Sequence, residues 1–173
     1  LEYARFLSRN KERPIISSNC PAVVSYIEKY HPSLLSNVAP IVSPMIATGR
    51  AIKRHHNPQA KLVFIGACVA KKVESTDKAV AGVIDAVLTF AELKDMFAAR
   101  GIIPTDEEEE QFFGPKPNLG RLFAISGGLL KVTGLSDDIM LNDVMSVHGR
   151  DYVVRILSEF AQGQITARFA NLY

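Results

Sequence analysis

The 173-residue chain is 47% apolar and 22% charged, enough to bury the core of one ordinary domain. Twenty Lys and Arg stand against eighteen Asp and Glu, a net charge of +2 that is too small to imply a nucleic-acid or acidic-membrane partner. No apolar run approaches the ~20 residues of a spanning helix, and the opening LEYARFLSRN lacks the apolar stretch and small-residue exit of a signal peptide, so a soluble, cytoplasmic protein is expected.

The chain opens on a helical pattern and then alternates. Strand-like runs PIISS (14–18), KLVFIGA (61–67) and IDAVLTF (84–90) are separated by helical patterns at 21–36, 43–56 and 90–100. That order predicts an α/β fold built from βαβ units, with a parallel sheet and helices on both faces. Pro21 suits a first helical position, Ser43-Pro44 a cap followed by such a proline, and Gly101 a stop. Residues 102–119, with the acidic run Asp106 to Glu110 and no period, predict a solvated loop. GRLFAISGG (120–128) predicts a strand ending in a glycine turn that opens a helix, and MSVHG (145–149) repeats the form. Val153, Val154, Ile156, Leu157 and Phe160 give helical spacing over 150–163, ahead of a last strand in ARFANLY. The expected division is a first α/β lobe at 1–103, an acidic excursion at 104–119, and at 120–173 the start of an incomplete second lobe. Leu in place of Met at position 1, and a strand that stops without a turn, lead to the expectation of a piece of a longer protein.

Two cysteines are too few for a disulfide framework, and a reducing compartment is expected. Cys20 follows a predicted strand and precedes Pro21 at a helix start, where the positive dipole end favours a thiolate able to ligate a metal. Cys68 also ends a strand, with Lys71 and Lys72 close behind it as a further source of positive charge. Consecutive strands of one parallel sheet would bring both sulfurs to the same carboxyl-terminal edge. The plainer reading is that both are small buried hydrophobes. Nothing places His31, His55, His56 or His148 beside either sulfur for a Cys-His nucleophile, and two thiolates with His148 lack a zinc spacing. Ser126-Gly127-Gly128 offers backbone N–H groups to an anion, or else just permits a tight turn. Lys53-Arg54-His55-His56 complements a helix dipole, the acidic run lacks the alternation of a calcium loop, and Lys71 with Glu74 reads as a surface helix pair.

Taken in order, these motifs resemble the C-terminal, cluster-bearing domain of the iron-only (di-iron) hydrogenase large subunit. SSNCPAVVSYIEKYHPSLL is similar to that family's T-S-C-C-P-x-W segment, VSPMIATGRAIK to its S-P-Q-Q-M-F-G-x-x-x-K, and GACVAKKVES to M-P-C-T-x-K-K-x-E. IDAVLTFAELKDMF resembles D-x-D-x-V-x-T-x-R-E-L, and GRLFAISGGLL resembles G-x-x-F-G-x-T-G-G-V-M. The similarity covers nearly the whole chain.

The resemblance implies that Cys20 and Cys68 are two of the four cysteines holding a four-iron four-sulfur (4Fe-4S) cluster. The other two belong to a C-x-x-x-C motif expected just beyond residue 173, so the fragment alone holds a cluster poorly. Ser126, Gly127 and Gly128 fall in the family's glycine motif and are carried as cofactor-binding candidates. Lys71 matches the lysine that contacts a cyanide of the di-iron group, Glu74 its carboxylate partner, and Ser43 a proton-path serine. Asn19 stands where the family has its proton-transfer cysteine, and an amide cannot take that acid–base role. Gly66-Ala67 replace Met-Pro, and Val24 stands where the family has Trp. The resemblance thus implies cluster binding more strongly than hydrogen turnover: an electron-transfer or redox-sensing domain, with an active hydrogenase or an iron–sulfur assembly partner as alternatives. Implied partners are electron-transfer or signalling domains of the same polypeptide and a ferredoxin-like donor, with no nucleic acid and no membrane.

Overall fold

The structure, a computed structural model, describes residues 2–10, 12–103, 118–125, 127–134 and 143–173. The acidic run at 106–110 and Ser126 lie outside the described residues. The chain divides into two units, residues 1–43 with 117–173, and residues 44–116.

The first unit is built on a three-stranded parallel sheet of order β1 (Ile15–Ile16), β5 (Phe169–Leu172), β4 (Val144–Val147). Ile15 pairs with Phe169 and Ile16 with Ala170, while Val144 to Val147 run beside Phe169 to Leu172. Every residue of β5 is buried, as befits a central parallel strand covered on both faces. Successive residues alternate between those faces. Ile16, Ala170 and Leu172 pack with α2 (Pro21–Tyr30) and α7 (Arg150–Ala161), through Val23, Ile27, Ile156 and Leu157. Ile15 and Phe169 pack on the other face with α1 (Glu2–Arg9) and α6 (Gly128–Thr133), through Tyr3, Leu7, Leu129 and Leu130. The i, i+4 pair Tyr3 and Leu7 and the stripe Val153, Ile156, Leu157, Phe160 explain why α1 and α7 bury the faces they do.

The second unit contains α3 (Pro44–His55), β2 (Val63–Ile65), α4 (Ala70–Thr76), β3 (Ala86–Leu88) and α5 (Phe90–Ala99). β2 and β3 pair in parallel, Val63 opposite Ala86 and Ile65 opposite Leu88, with α4 as the crossover. Thr89 and Glu92 form a reciprocal cap at the start of α5. Gly49 lets α3 approach the chain before β3, since a Cβ there would lie 2.8 Å from Val83 and 2.9 Å from Ile84.

The α/β class with parallel strands stands, and three finer expectations are corrected. β1 pairs with β5 and not with β2, so the strands before Cys20 and before Cys68 belong to different sheets. The cause is burial: Ile15 and Ile16 are wholly buried and match β5, whereas Val63 and Ile65 of β2 are exposed. For the same reason residues 1–103 do not form one lobe, because the first 43 join the C-terminal stretch. In the stretch 120–128 the described residues form no strand: Asn118–Ala124 is a 3-10 helix. Ile125 N donates to Leu122 O at 3.1 Å and Gly128 N to Ile125 O at 2.9 Å, folding the chain back so far that a Cβ on Gly128 would sit 1.5 Å from the Leu122 carbonyl oxygen. Only glycine fits there.

Candidate metal centre

The segment between β1 and α2 carries Asn19 and Cys20 and is tied down at each step. Ser17 N donates to Ala170 O at 2.8 Å. Its buried hydroxyl donates to Asn171 Oδ1 at 3.1 Å and accepts from Leu172 N at 3.3 Å. Ser18 N donates to Tyr3 Oη at 2.9 Å, and Ser18 Oγ donates to the carbonyl of Ile41. Burial pushes the Tyr3 hydroxyl pKa up, against the opposing effect of its hydrogen bonds with Ser18. None of Tyr3, Ser17, Ser18 or Asn171 was legible as a positioning residue, because each acts through a contact across distant sequence.

Held in this way, Cys20 takes extended backbone angles as the N-cap of α2, with Pro21 following at the first helical position. Its side chain makes no capping hydrogen bond, and the half-buried residue packs against the core. Just before it, Asn19 Oδ1 is buried without a hydrogen-bond partner, as is Ser43 Oγ, whose residue is 1% exposed.

In the second unit Cys68 follows β2 and is an exposed, free thiol. Gly66 N donates to Leu88 O at 3.0 Å and Lys71 N to Cys68 O at 3.3 Å, which fixes the turn between β2 and α4. Lys71 Nζ meets Glu74 Oε2 at 2.8 Å, with side chains only 11% and 15% exposed, so this is no surface pair. Lys72 is ion-paired with Glu92. That hydrogen bond, with those from Thr89, holds the Glu92 carboxyl at a pKa of about 2. The positive charge expected to favour a thiolate at Cys68 is thus answered by two carboxylates.

The remaining candidates have structural partners. Gly127 takes left-handed angles (φ 69°) and donates its N–H to Tyr173 Oη at 2.6 Å, so this donor is engaged by a tyrosine. Lys53 bridges to Gly82 O at 2.6 Å and to Asp85 at 3.6 Å, which ties the basic end of α3 to the chain before β3. Among the described residues no three of His, Cys, Asp and Glu gather as a metal site. No described helix is long and apolar enough to cross a membrane.

The family described as "Iron only hydrogenase large subunit, C-terminal domain" matches residues 1–169, and the chain belongs to it. Among curated proteins it is similar to the cytosolic Fe-S cluster assembly factor NAR1 homolog of Schizosaccharomyces japonicus, 28% identical over 105 residues that make up 54% of this chain and 20% of the relative. It is also similar to NAR1 of Vanderwaltozyma polyspora, 31% identical over 112 residues, 64% of this chain and 20% of the relative. The chain therefore spans about a fifth of the length of these curated relatives. Among solved structures, the apo FeFe-hydrogenase HydA1 variant C377H from Chlamydomonas reinhardtii aligns with a TM-score of 0.64 at 16% identity, covering 99% of this chain and 61% of that one. A second FeFe-hydrogenase, HydA(deltaEFG), gives 0.62 at 17% identity over 98% of this chain and 61% of its own. At these identities the likeness is one of fold.

Proposed function

We propose that the domain holds a 4Fe-4S cluster through Cys20 and Cys68, and serves electron transfer or redox sensing and not hydrogen turnover. The observation that carries this reading is the pair Asn19-Cys20: a free thiol fixed at a helix start, preceded by an amide where acid–base chemistry would need a titrating group. The donor set fits in part. A cubane cluster is held by four thiolates. This chain has two cysteines, so the other two sulfurs must come from outside these 173 residues.

When bound, such a cluster supplies one-electron transfer. The chain's own residues would position it: the Ser17–Asn171 and Ser18–Tyr3 contacts hold the Cys20 segment, and the Gly66–Leu88 bond holds the Cys68 turn. Lys71 and Glu74 present a charge-balanced pair on α4 one turn beyond Cys68. The test is anaerobic reconstitution of the full-length polypeptide with iron and sulfide. Stoichiometric uptake that is lost in Cys20→Ala and in Cys68→Ala supports the reading. Uptake by neither wild type nor variants would leave both cysteines as ordinary packing and surface residues.

A second reading, a role in cytosolic iron–sulfur assembly through protein partners, is favoured by the curated relatives, which carry that description. Capture of iron–sulfur assembly proteins by the full-length protein, insensitive to its redox state, would favour assembly over sensing.

A further inference from the structure

β2 is a parallel strand with one partner. Among the described residues its neighbour is β3 alone, with Phe64 opposite Val87. Gly66 N donates to Leu88 O and Ala86 N to Leu62 O, so the backbone of the even-numbered residues in this stretch faces β3. Val63 and Ile65 therefore turn their N–H and C=O groups to the other side, where no described strand lies. Their side chains are also in water, with the residues 53% and 41% exposed. Parallel strands occur with both faces covered, and native sheets do not leave an apolar edge open.

Beside that edge, α3 and β2 bound a groove of about 260 Å³ inside the second unit. Met45, Thr48 and Ile52 line it from α3, Val63 and Phe64 from β2, and Ile84 from the chain before β3. Apart from the Thr48 hydroxyl these walls are apolar, which suits aliphatic or aromatic side chains and not a charged ligand. An unpaired row of backbone groups next to an apolar groove fits one kind of occupant: an extended segment with apolar residues at alternate positions.

We infer that a further strand of the same polypeptide, from outside these 173 residues, adds in parallel to the free edge of β2 and seats apolar side chains in the groove beside α3. Length argues for this source. The chain covers 61% of the apo FeFe-hydrogenase with which it aligns, so about two fifths of that chain has no counterpart here. Permanence argues for it too, since a transient partner would return Val63 and Ile65 to water between encounters, with the aggregation hazard of a bare edge. A strand parallel to β2 ends at the same edge of the sheet, so the residues after it would border the turn that carries the exposed Cys68. The inference does not depend on an iron-bearing group.

Amide exchange in the full-length protein tests the edge. Val63 and Ile65 are expected to exchange within about tenfold of Phe64, whose N–H faces β3, and rates about a hundredfold faster than Phe64 would overturn the inference. Photo-crosslinking tests the source, with benzoylphenylalanine in place of Val63 and a mixture of isotopically light and heavy protein. Should that replacement prevent folding, the same reagent at the exposed Thr48, on the opposite wall of the groove, gives the same readout. The expected product joins the reagent to a peptide of the same molecule from outside the 173 residues. A mixed light and heavy product would assign the edge to a second copy, a foreign peptide to another protein, and a peptide from within the 173 residues to a local segment. Each of these three outcomes overturns the inference.

Discussion

The phenolic oxygen of Tyr173 accepts the N–H of Gly127 at 2.6 Å and lies 3.1 Å from Ser146 Oγ, so the residue after β5 fixes both the glycine turn before α6 and the neighbouring strand β4. The His148 ring stacks on the same tyrosine, with centroids 6.3 Å apart. Tyr173→Phe keeps the ring and removes the acceptor. The Gly127 amide should then exchange faster with solvent, at a cost of about 1 kcal/mol in local stability. Unchanged protection at Gly127 would mean that the turn is held by its backbone angles alone.

Ser17 and Asn171 make a buried hydrogen bond across 154 residues of sequence. Ser17→Ala leaves Asn171 Oδ1 and the Leu172 N–H short of a partner, and should cost about 1–3 kcal/mol. Because the same segment carries Cys20, this variant should also make the Cys20 thiol react faster with an alkylating reagent. Equal reactivity in the two proteins would separate the hydrogen bond from the positioning of the cysteine.

Lys71 and Glu74 form a pair with little solvent contact. Removing one partner strands the other charge, so Lys71→Ala should destabilise the second unit by up to about 3 kcal/mol, and Lys71→Met with Glu74→Gln together by clearly less. Chemical denaturation of the single and double variants measures this. Additive losses would show that the two side chains are not coupled.

Acid sensitivity follows from Glu92 and Asp85. Glu92 is held at about 2 against an ordinary 4.5, first by its hydrogen bond from Lys72. Asp85 is held at about 2 against 3.8, first by the Leu62 N–H, which donates to Oδ2 at 2.9 Å. Both folded-state values lie below the unfolded ones, so the carboxylates contribute stability that is complete above about pH 4.5 and is lost as the pH falls towards 2. Amide exchange in β2 and β3 should rise across that window, and Glu92→Gln should flatten part of the rise. A flat profile between pH 5 and about 2 would contradict the assignment.

Much of the fold was legible where the pattern is local. The helices at Pro21–Tyr30, Pro44–His55, Phe90–Ala99 and Arg150–Ala161 follow from spacing, prolines at helix starts and flanking stop residues. Strand partners were not, because the pairing of Ile15 with Phe169 is decided by which apolar faces can be covered, not by order along the chain. The misread 120–128 stretch is a short apolar run, whose periodicity cannot separate strand from helix; the close approach of Gly128 to Leu122 decided it. At the candidate centre, Cys20, Cys68 and the Lys71–Glu74 spacing could be read directly. The near burial of that pair, the engagement of Lys72 by Glu92 and the unpartnered Asn19 and Ser43 oxygens depend on tertiary contacts and carry no sequence signal.

The proposed function makes Cys20 and Cys68 ligands of one cluster. Electron paramagnetic resonance of the reduced, anaerobically reconstituted full-length protein tests it most directly. The expected result is a four-iron signal that disappears or converts to a three-iron form in Cys20→Ala and in Cys68→Ala alike. A signal that survives both substitutions unchanged would contradict it.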